Sequence, residues 1–236
     1  MSSSILSTDM PDTNAILVPT LSIVFDLPIQ QRQIAQWRGA FIELAGREYP
    51  LLHNHYEDGA SIYQYPRVHY RLKGGKAGLY ACCDGVTCVQ DVLSSRDWLL
   101  RWQGKKRPLA ILEMKVQTYP LAIQTNNLRY RISNYLALNQ DNYQDWVQKE
   151  SLLERIQVLE RLLRNHLLAG IWGLGWESED KLKIQLIELC DTQPVSYHGT
   201  TLMAFDLIFS CNAQLPPGMA VGKAVSFGFG CVLPNP

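Results

Sequence analysis

The pattern of apolar and polar positions near the start of the chain predicts a strand that leads into a helix. Residues 21–27 alternate and are followed by Pro28, which favours a strand that ends there. Residues 31–47 carry apolar side chains at helical spacing, namely Ile34, Trp37, Phe41 and Leu44. A strand that feeds directly into a helix is the first part of an α/β unit.

The pattern then predicts a hairpin, a short helix and a further strand. Residues 63–72 alternate aromatic and basic positions, the Gly74-Gly75 pair forms a turn, and residues 77–83 supply the second strand. A short helix is expected over residues 86–94 and a strand over residues 108–118. This order of elements is that of the ferredoxin-like fold, which RNA-recognition domains also use.

A second half of similar composition is predicted after Pro120 and the Asn126-Asn127 pair. A long amphipathic helix over residues 152–167 is followed by Gly173 and Gly175, which end it. The remaining elements are strands at 182–189 and 203–209, a glycine-rich segment, and a last strand at 227–233. The expected fold class is α+β, with two tandem ferredoxin-like domains and a C-terminal glycine-rich loop. The expected boundaries are a polar leader at 1–18, an N-terminal domain at 19–124 and a C-terminal domain at 125–236.

Composition limits the class of protein. The 236 residues are 47% hydrophobic and 19% charged, which is typical of a globular protein and excludes disorder as the dominant state. No run of about 18 apolar residues predicts a membrane span, and residues 1–14 lack the pattern of a signal peptide. The six cysteines form no CxxC pair and are expected to be reduced. A cytoplasmic protein without membrane contact is therefore expected.

The charge of the chain is balanced in total but not along its length. The 22 basic and 22 acidic residues cancel, yet residues 61–115 contain ten lysines and arginines against four acids. This stretch carries +6 and the remainder −6, and its hairpin interleaves basic and aromatic residues. The pattern is typical of a surface that binds a polyanion such as nucleic acid. A sheet edge guarded by solvated charges is the alternative.

The sequence His53-Asn-His55 follows the first predicted helix and is the main candidate for catalysis. Two imidazoles two residues apart could act as general base and general acid, as cleavage of RNA through a ribose 2′-hydroxyl requires. An incidental or structural histidine pair is the alternative. A metal site completed by Glu57 or Asp58 has little support, because no remote ligand cluster accompanies it, and neither a metal nor another cofactor is expected.

The C-terminal segment contains Gly218, Gly222, Gly228 and Gly230, with Lys223 among them. These glycines would permit close approach of the backbone to a ligand, beside a cation. A glycine-rich turn before a final strand is the alternative. The spacing Gly-x-x-x-Gly-Lys-Ala differs from that of a P-loop, and an NTPase is not expected.

Together these features resemble the CRISPR-associated endoribonucleases that cut precursor CRISPR RNA within its repeats, and in particular their subgroup with a histidine pair after the first helix. Four stretches carry the resemblance, which runs from about residue 21 to residue 233. They are Leu51–His55 with Tyr63–Pro66 and Tyr70-Arg71, then Gly75–Ala77, then Tyr130–Tyr143, and finally Ala204–Asp206 with Gly222–Gly230.

The resemblance implies a metal-independent reaction that leaves a 2′,3′-cyclic phosphate and a 5′-hydroxyl. It implies that His53 and His55 are catalytic, with Tyr63 as auxiliary. The residues expected to contact RNA are Arg67, Arg71, Lys73, Lys76, Gly222, Lys223, Ser226, Gly228 and Gly230. The partners implied are CRISPR repeat RNA, other subunits of a CRISPR effector and a second copy of the chain. A subunit that binds the repeat without cutting it and a metal-dependent nuclease are the alternatives.

Overall fold

The computed structural model describes residues 15–53, 64–95, 97–177, 181–197 and 199–235. Over these ranges the chain forms nine strands and five α-helices. The strands are β1 (Ile16–Pro28), β2 (Val68–Lys73), β3 (Lys76–Cys82), β4 (Leu99–Trp102), β5 (Lys105–Pro108), β6 (Ile111–Tyr135), β7 (Ile184–Tyr197), β8 (Thr200–Gln214) and β9 (Cys231–Pro234). The helices are α1 (Ile34–Ala45), α2 (Pro50–His53), α3 (Asp84–Ser95), α4 (Gln140–Gln148) and α5 (Leu152–Gly173).

Seven of the described strands form one antiparallel sheet in the order β2-β3-β1-β6-β8-β7, with β9 also paired to β6. In the N-terminal half the order is β2-β3-β1-β6, and in the C-terminal half it is β7-β8-β6-β9. These two orders are equivalent and belong to the ferredoxin-like arrangement. The predicted fold class, α+β with two tandem ferredoxin-like domains, is therefore confirmed.

The two halves share β6, which is 25 residues long. Its first part pairs with β1, where Ile23 lies opposite Met114, and its second part pairs with β8 and β9. The Asn126-Asn127 pair falls where the register between β6 and β8 shifts, between Ile123 and Leu128. The sequence signal at this point marks an irregularity within a strand. The expected division at 124/125 thus falls inside β6, and β1 begins at Ile16, within the expected leader.

Each half has its own core. In the N-terminal half, α1 and α3 pack on one face of the sheet around Phe25, Trp37 and Phe41, and the Trp37 indole donates to Gly78 O at 3.0 Å. In the C-terminal half, α5 packs on the sheet around fully buried side chains that include Phe205 and Phe209. Its first turn is stabilised by a capping box between Ser151 and Glu154.

Three features differ from the sequence prediction. The strand expected at 108–118 begins at Ile111, because β4 and β5 form a separate hairpin that ends at Pro108. Helix α4 was not expected. The last strand, expected at 227–233, begins at Cys231, because Val225–Phe227 form a 3-10 turn at the end of the glycine-rich segment, residues 215–230. As expected from the sequence, that segment joins β8 to β9, and no second helix does so among the described residues. The described helices include none with the length and apolar character needed to cross a membrane.

Candidate functional site

The glycine-rich segment lies against the N-terminal half. The Arg71 guanidinium donates to Gly218 O. The Tyr65 hydroxyl donates to Ala220 O at 3.0 Å and accepts from Ala220 N at 3.1 Å. The Arg38 guanidinium lies 4.9 Å from the centre of the Phe227 ring. The segment therefore links the two halves at three places.

The glycines of this segment are required by contacts within the protein. Gly230 has φ +66°, and a Cβ there would lie 1.9 Å from Val221 O, because Val221 N donates to Gly230 O at 2.9 Å. A Cβ at Gly222, with φ +93°, would lie 2.7 Å from the Tyr135 ring. A Cβ at Gly228 would lie 2.9 Å from Tyr70 O. The close approach that these glycines permit is thus to the chain itself, and their contact with RNA stays a prediction.

His53 is the last residue of α2, and its backbone is held on two sides. Its carbonyl accepts from the Arg38 guanidinium at 2.6 Å, and the preceding carbonyl, Leu52 O, accepts from the Tyr70 hydroxyl at 3.1 Å. The Nε2 atom of its ring lies 3.1 Å from Arg47 O. These contacts fix the single helical turn of α2 and therefore the position of His53. The other two predicted catalytic residues, His55 and Tyr63, lie outside the described residues.

Residues on both flanks of the 54–63 segment contact the glycine-rich segment. On the first flank, Arg38 binds His53 O and lies over Phe227. On the second flank, Tyr65 forms two hydrogen bonds with Ala220. His53 and Tyr65, which flank residues 54–63 in the sequence, are therefore both held close to the glycine-rich segment, His53 through Arg38 and Tyr65 directly.

Arg38 belongs to this site although no sequence pattern indicated it. Its guanidinium is half-buried between α1 and the glycine-rich segment, and burial lowers the pKa of Arg38. Nearby, Tyr197 packs edge-on against Phe227, with ring centres 5.6 Å apart. Position 38 lies in the predicted amphipathic helix without any motif around it, so its role depends on neighbours that local sequence does not reveal.

Arg71, which the sequence assigned to RNA binding, takes part in a contact inside the protein. Its guanidinium lies 3.0 Å from His69 Nδ1 and 4.3 Å from the centre of the Tyr80 ring. His69 is fully buried, and burial together with the positive charge of Arg71 lowers its pKa to about 3. His69 is therefore neutral, with Nδ1 accepting from Arg71 and Nε2 donating to Pro66 O at 2.9 Å. Contact of Arg71 with RNA stays a prediction.

Several of the other basic side chains in residues 61–115 form ion pairs, and these pairs lie on different elements of the fold. Arg67 pairs with Asp84 at 3.0 Å, and Lys73 with Glu113 at 3.1 Å. On other strands, Arg101 pairs with Glu43 and Arg107 with Asp26. The positive charge of this stretch is thus distributed over separate elements and partly neutralised. Lys76 is half-buried at the end of the β2–β3 hairpin.

Two residues of the glycine-rich segment are also predicted RNA contacts. Lys223 is exposed, and its backbone N donates to Leu136 O at 3.1 Å. The side chain of Ser226 is buried in the 3-10 turn. Near Lys223, His166 of α5 lies 2.6 Å from the Tyr135 hydroxyl through its Nδ1 atom. Burial and the charge of Lys223 lower the pKa of His166. Within the described ranges, no group of three or more acidic, histidine or cysteine side chains is arranged to hold a metal ion.

The architecture defines a class of protein with two ferredoxin-like halves joined through one strand and closed by a glycine-rich segment. Comparison with known proteins names the family. Residues 16–120 match the family model for the Cas6b N-terminal domain, and residues 122–234 match that for the Cas6b C-terminal domain. The chain belongs to the Cas6b family.

Solved structures share this fold. One described as a crystal structure of Cas6b matches with a TM-score of 0.83 and 20% identity, covering 93% of this chain and 100% of that chain. A crystal structure of the CRISPR RNA processing endoribonuclease Cas6b matches with a TM-score of 0.69, also at 20% identity and with the same coverage. The uncharacterized protein MJ0978 of Methanocaldococcus jannaschii is 31% identical over 120 residues, which cover 50% of this chain and 80% of that protein.

Proposed function

We propose that this protein is an endoribonuclease that cleaves precursor CRISPR RNA within its repeats and acts in the cytoplasm. Membership of the Cas6b family and the fold shared with a CRISPR RNA processing endoribonuclease support the reaction class. The observation that carries the proposal is the position of His53. It lies on a turn fixed by Arg38 and Tyr70, beside the glycine-rich segment of the opposite half.

In the proposed reaction, the ribose 2′-hydroxyl attacks the adjacent phosphorus atom and the 5′ oxygen of the next nucleotide leaves. His53 and His55 form the catalytic pair of the subgroup with a histidine pair: one imidazole takes the proton of the 2′-hydroxyl and the other protonates the leaving oxygen. Tyr63 assists them. The products are a 2′,3′-cyclic phosphate and a 5′-hydroxyl. Because the nucleophile belongs to the substrate, the reaction needs no metal-activated water.

The proposed RNA site extends from His53 over the glycine-rich segment. Lys223 is exposed there and supplies a positive charge for the phosphate backbone, as does Lys76 at the end of the β2–β3 hairpin. Arg71 contributes by holding Gly218 in place, in addition to its predicted contact with RNA. The remaining contacts proposed on this surface are Arg67, Lys73, Gly222, Ser226, Gly228 and Gly230.

Cleavage of a labelled repeat RNA tests the catalytic pair. His53→Ala and His55→Ala are each expected to reduce the single-turnover rate by about 100-fold or more, since positioned proton transfer contributes about 10² to 10⁴ in rate. RNA affinity is expected to persist. Lys105→Ala, an exposed change on the β4–β5 hairpin, is the control that retains the rate. Full activity of the double alanine variant would refute the assignment.

The products and the metal requirement are tested in the same assay. Activity is expected to persist in EDTA and to show a bell-shaped dependence on pH. A 3′ end that resists labelling until the cyclic phosphate is opened and the phosphate removed would support 2′-hydroxyl attack. A requirement for added divalent ion would instead favour a metal-dependent nuclease. RNA that is bound but intact in excess wild-type protein would favour a non-cleaving subunit.

The RNA surface is tested by removing one positive charge at two places. Lys223→Ala is expected to weaken repeat RNA binding and to reduce the slope of log affinity against log salt by about 1, while Lys105→Ala changes neither. Equal effects of the two variants would place the RNA surface elsewhere. We further propose that the protein associates with other CRISPR effector subunits and with a second copy of itself.

A further inference from the structure

His166 lies on the face of α5 that packs against the glycine-rich segment. One turn later on this face, Gly170 leaves room for Met219 and Val221, since a Cβ at Gly170 would lie 3.0 Å and 3.1 Å from their side chains. Residues four apart on a helix are neighbours on the same face. Lys223, further along the segment, is close enough for its charge to lower the pKa of His166. Helix α5 therefore places the imidazole of His166 beside Lys223.

Tyr135 connects His166 to the backbone of the glycine-rich segment. Its hydroxyl oxygen lies 2.6 Å from Nδ1 of His166, and its ring packs so close to Gly222 that an added Cβ there would lie 2.7 Å from the ring. The next residue, Lys223, is fixed by the hydrogen bond from its backbone N to Leu136 O at 3.1 Å. Two consecutive residues, Tyr135 and Leu136, thus hold the imidazole and the backbone of Lys223 in place.

The contact with Tyr135 also selects the tautomer of the imidazole. Burial and the charge of Lys223 lower the pKa of His166, so its ring is neutral near pH 7 and carries one N–H. Burial raises the pKa of Tyr135, which keeps the proton on the phenol, and this buried hydroxyl needs an acceptor. Nδ1 therefore accepts from Tyr135, and the N–H of the imidazole is on Nε2. Within the described part of the chain Nε2 has no hydrogen-bond partner, and it is not sealed from solvent.

We propose that His166 and Lys223 form a phosphate-binding subsite for the repeat RNA. In this subsite the Nε2–H of His166 donates to a phosphate oxygen, and the ammonium group of Lys223 supplies the positive charge. Lys223 is exposed, and no acidic side chain of the described residues pairs with it. The inference rests on the proposed function, because it requires RNA to run over the glycine-rich segment. It assigns His166 to binding and leaves proton transfer to the histidine pair.

A purely structural role for His166 is the alternative, in which its imidazole only accepts from the buried Tyr135 hydroxyl. Two substitutions separate these roles, because each preserves one edge of the imidazole. Asn places its amide oxygen near the position of Nδ1, so it keeps an acceptor for Tyr135 but has no donor at the position of Nε2. Gln extends an N–H donor to the position of Nε2 but leaves Tyr135 without its acceptor.

Repeat RNA binding to the full chain separates the two roles. The variants are made in His53→Ala, which is expected to bind RNA without cutting it. His166→Asn is expected to weaken the affinity by about tenfold, the effect of losing one hydrogen bond to a charged group, whereas His166→Gln should retain most of the affinity. Asn165→Leu, an exposed change at the adjacent position of α5, is the control and should bind like the parent. The proposal is overturned if His166→Asn binds RNA as tightly as His166→Gln or more tightly.

A salt series distinguishes a neutral donor from a positive charge. Lys223→Ala is expected to reduce the slope of log affinity against log salt by about 1, whereas His166→Asn should leave the slope unchanged, because a neutral imidazole releases no counterion. The variant with both changes should lose less affinity than the product of the two separate losses, since both groups bind the same phosphate. A lower slope for His166→Asn, or losses that multiply, would contradict the shared subsite with a neutral donor.

Failure of this inference is distinguishable from failure of the proposed RNA surface. A loss of affinity in Lys223→Ala without any loss in His166→Asn would overturn the role of His166 alone. Full affinity of both variants would remove the RNA surface from the glycine-rich segment and the subsite with it.

Discussion

The two halves of the molecule have the same strand order and differ in what connects their last two strands. In the N-terminal half, helix α3 follows β3 and packs on the sheet around Val89 and Val92. In the C-terminal half, the glycine-rich segment takes that place and contacts the other half through Ala220 and Phe227. The helix stabilises its own half, whereas the segment that replaces it builds the candidate site between the halves.

The largest predicted effect tests whether the glycine-rich segment needs its unusual backbone. Gly230→Ala is expected to reduce the free energy of unfolding by about 3 kcal/mol or more, because φ is positive and the new Cβ meets Val221 O. Gly104→Ala is the control, with φ +78° and no atom within 4 Å of the added Cβ, and should cost about 1 kcal/mol. Urea denaturation measures both, and equal losses would contradict the requirement at Gly230.

A second prediction separates contacts between the halves from contacts within one. Tyr65→Phe leaves Ala220 N and O without their partner and is expected to cost about 2 kcal/mol. Tyr130→Phe is a matched control, because its hydroxyl bonds Ala213 O and Leu215 N within the C-terminal half, both at 3.0 Å. Similar losses of stability are expected, but only Tyr65→Phe should lower RNA cleavage. Equal effects on cleavage would mean that the link between the halves has no role in the site.

A third prediction compares the buried histidine of each half. His69 has its pKa lowered from 6.5 to about 3, so between these values the unfolded chain binds a proton that the folded chain does not. Stability should therefore fall as pH falls from about 6.5, by about 1.4 kcal/mol per pH unit. His69→Gln is expected to remove the part of this slope that His69 contributes. His166→Gln should remove a smaller part with the same sign, because the pKa of His166 is also lowered but its side chain is only half-buried. Urea denaturation of the wild type and both variants at a series of pH values measures these slopes.

The smallest effect concerns the exposed ion pairs of the N-terminal half. Arg101 and Glu43 are 3.4 Å apart, with side chains 61% and 59% exposed. Arg101→Ala is expected to change the free energy of unfolding by less than about 0.5 kcal/mol, and less still in high salt. A loss comparable to that of Tyr65→Phe would mean that surface charge stabilises this half as strongly as the contact between the halves.

The sequence was sufficient for the elements with clear periodicity. The apolar spacing at Ile34, Trp37 and Phe41 predicts α1, and these side chains are buried in the N-terminal core. The continuity of β6 was not predictable, because Pro120 resembles a break. In the structure Pro120 lies opposite Leu17, and no described strand pairs with the other side of β6 there, so a missing N–H is tolerated.

For the site, local sequence indicated His53 and the glycine-rich segment but not how they meet. The contact of Arg71 with Gly218 joins residues 147 positions apart, and that of Tyr65 with Ala220 joins residues 155 positions apart. No local pattern encodes such pairs. The net charge of residues 61–115 follows from the sequence alone. Which of these basic side chains pair with Asp26, Glu43 and Asp84 depends on the folded chain.

The long strand β6 has a consequence for synthesis on the ribosome. β1 is synthesised early, but it can pair with β6 only after β6 is synthesised, since Leu21 lies opposite Val116. The second part of β6 in turn can pair with β8 and with β9, at Cys231–Pro234, only after those later strands are synthesised. Until β9 has left the ribosome, a growing chain carries an incomplete sheet whose unpaired strand can pair with another molecule. The C-terminal half of the sheet therefore cannot be completed independently of the strand that also closes the N-terminal half, unlike the sheets of two domains that fold one after the other.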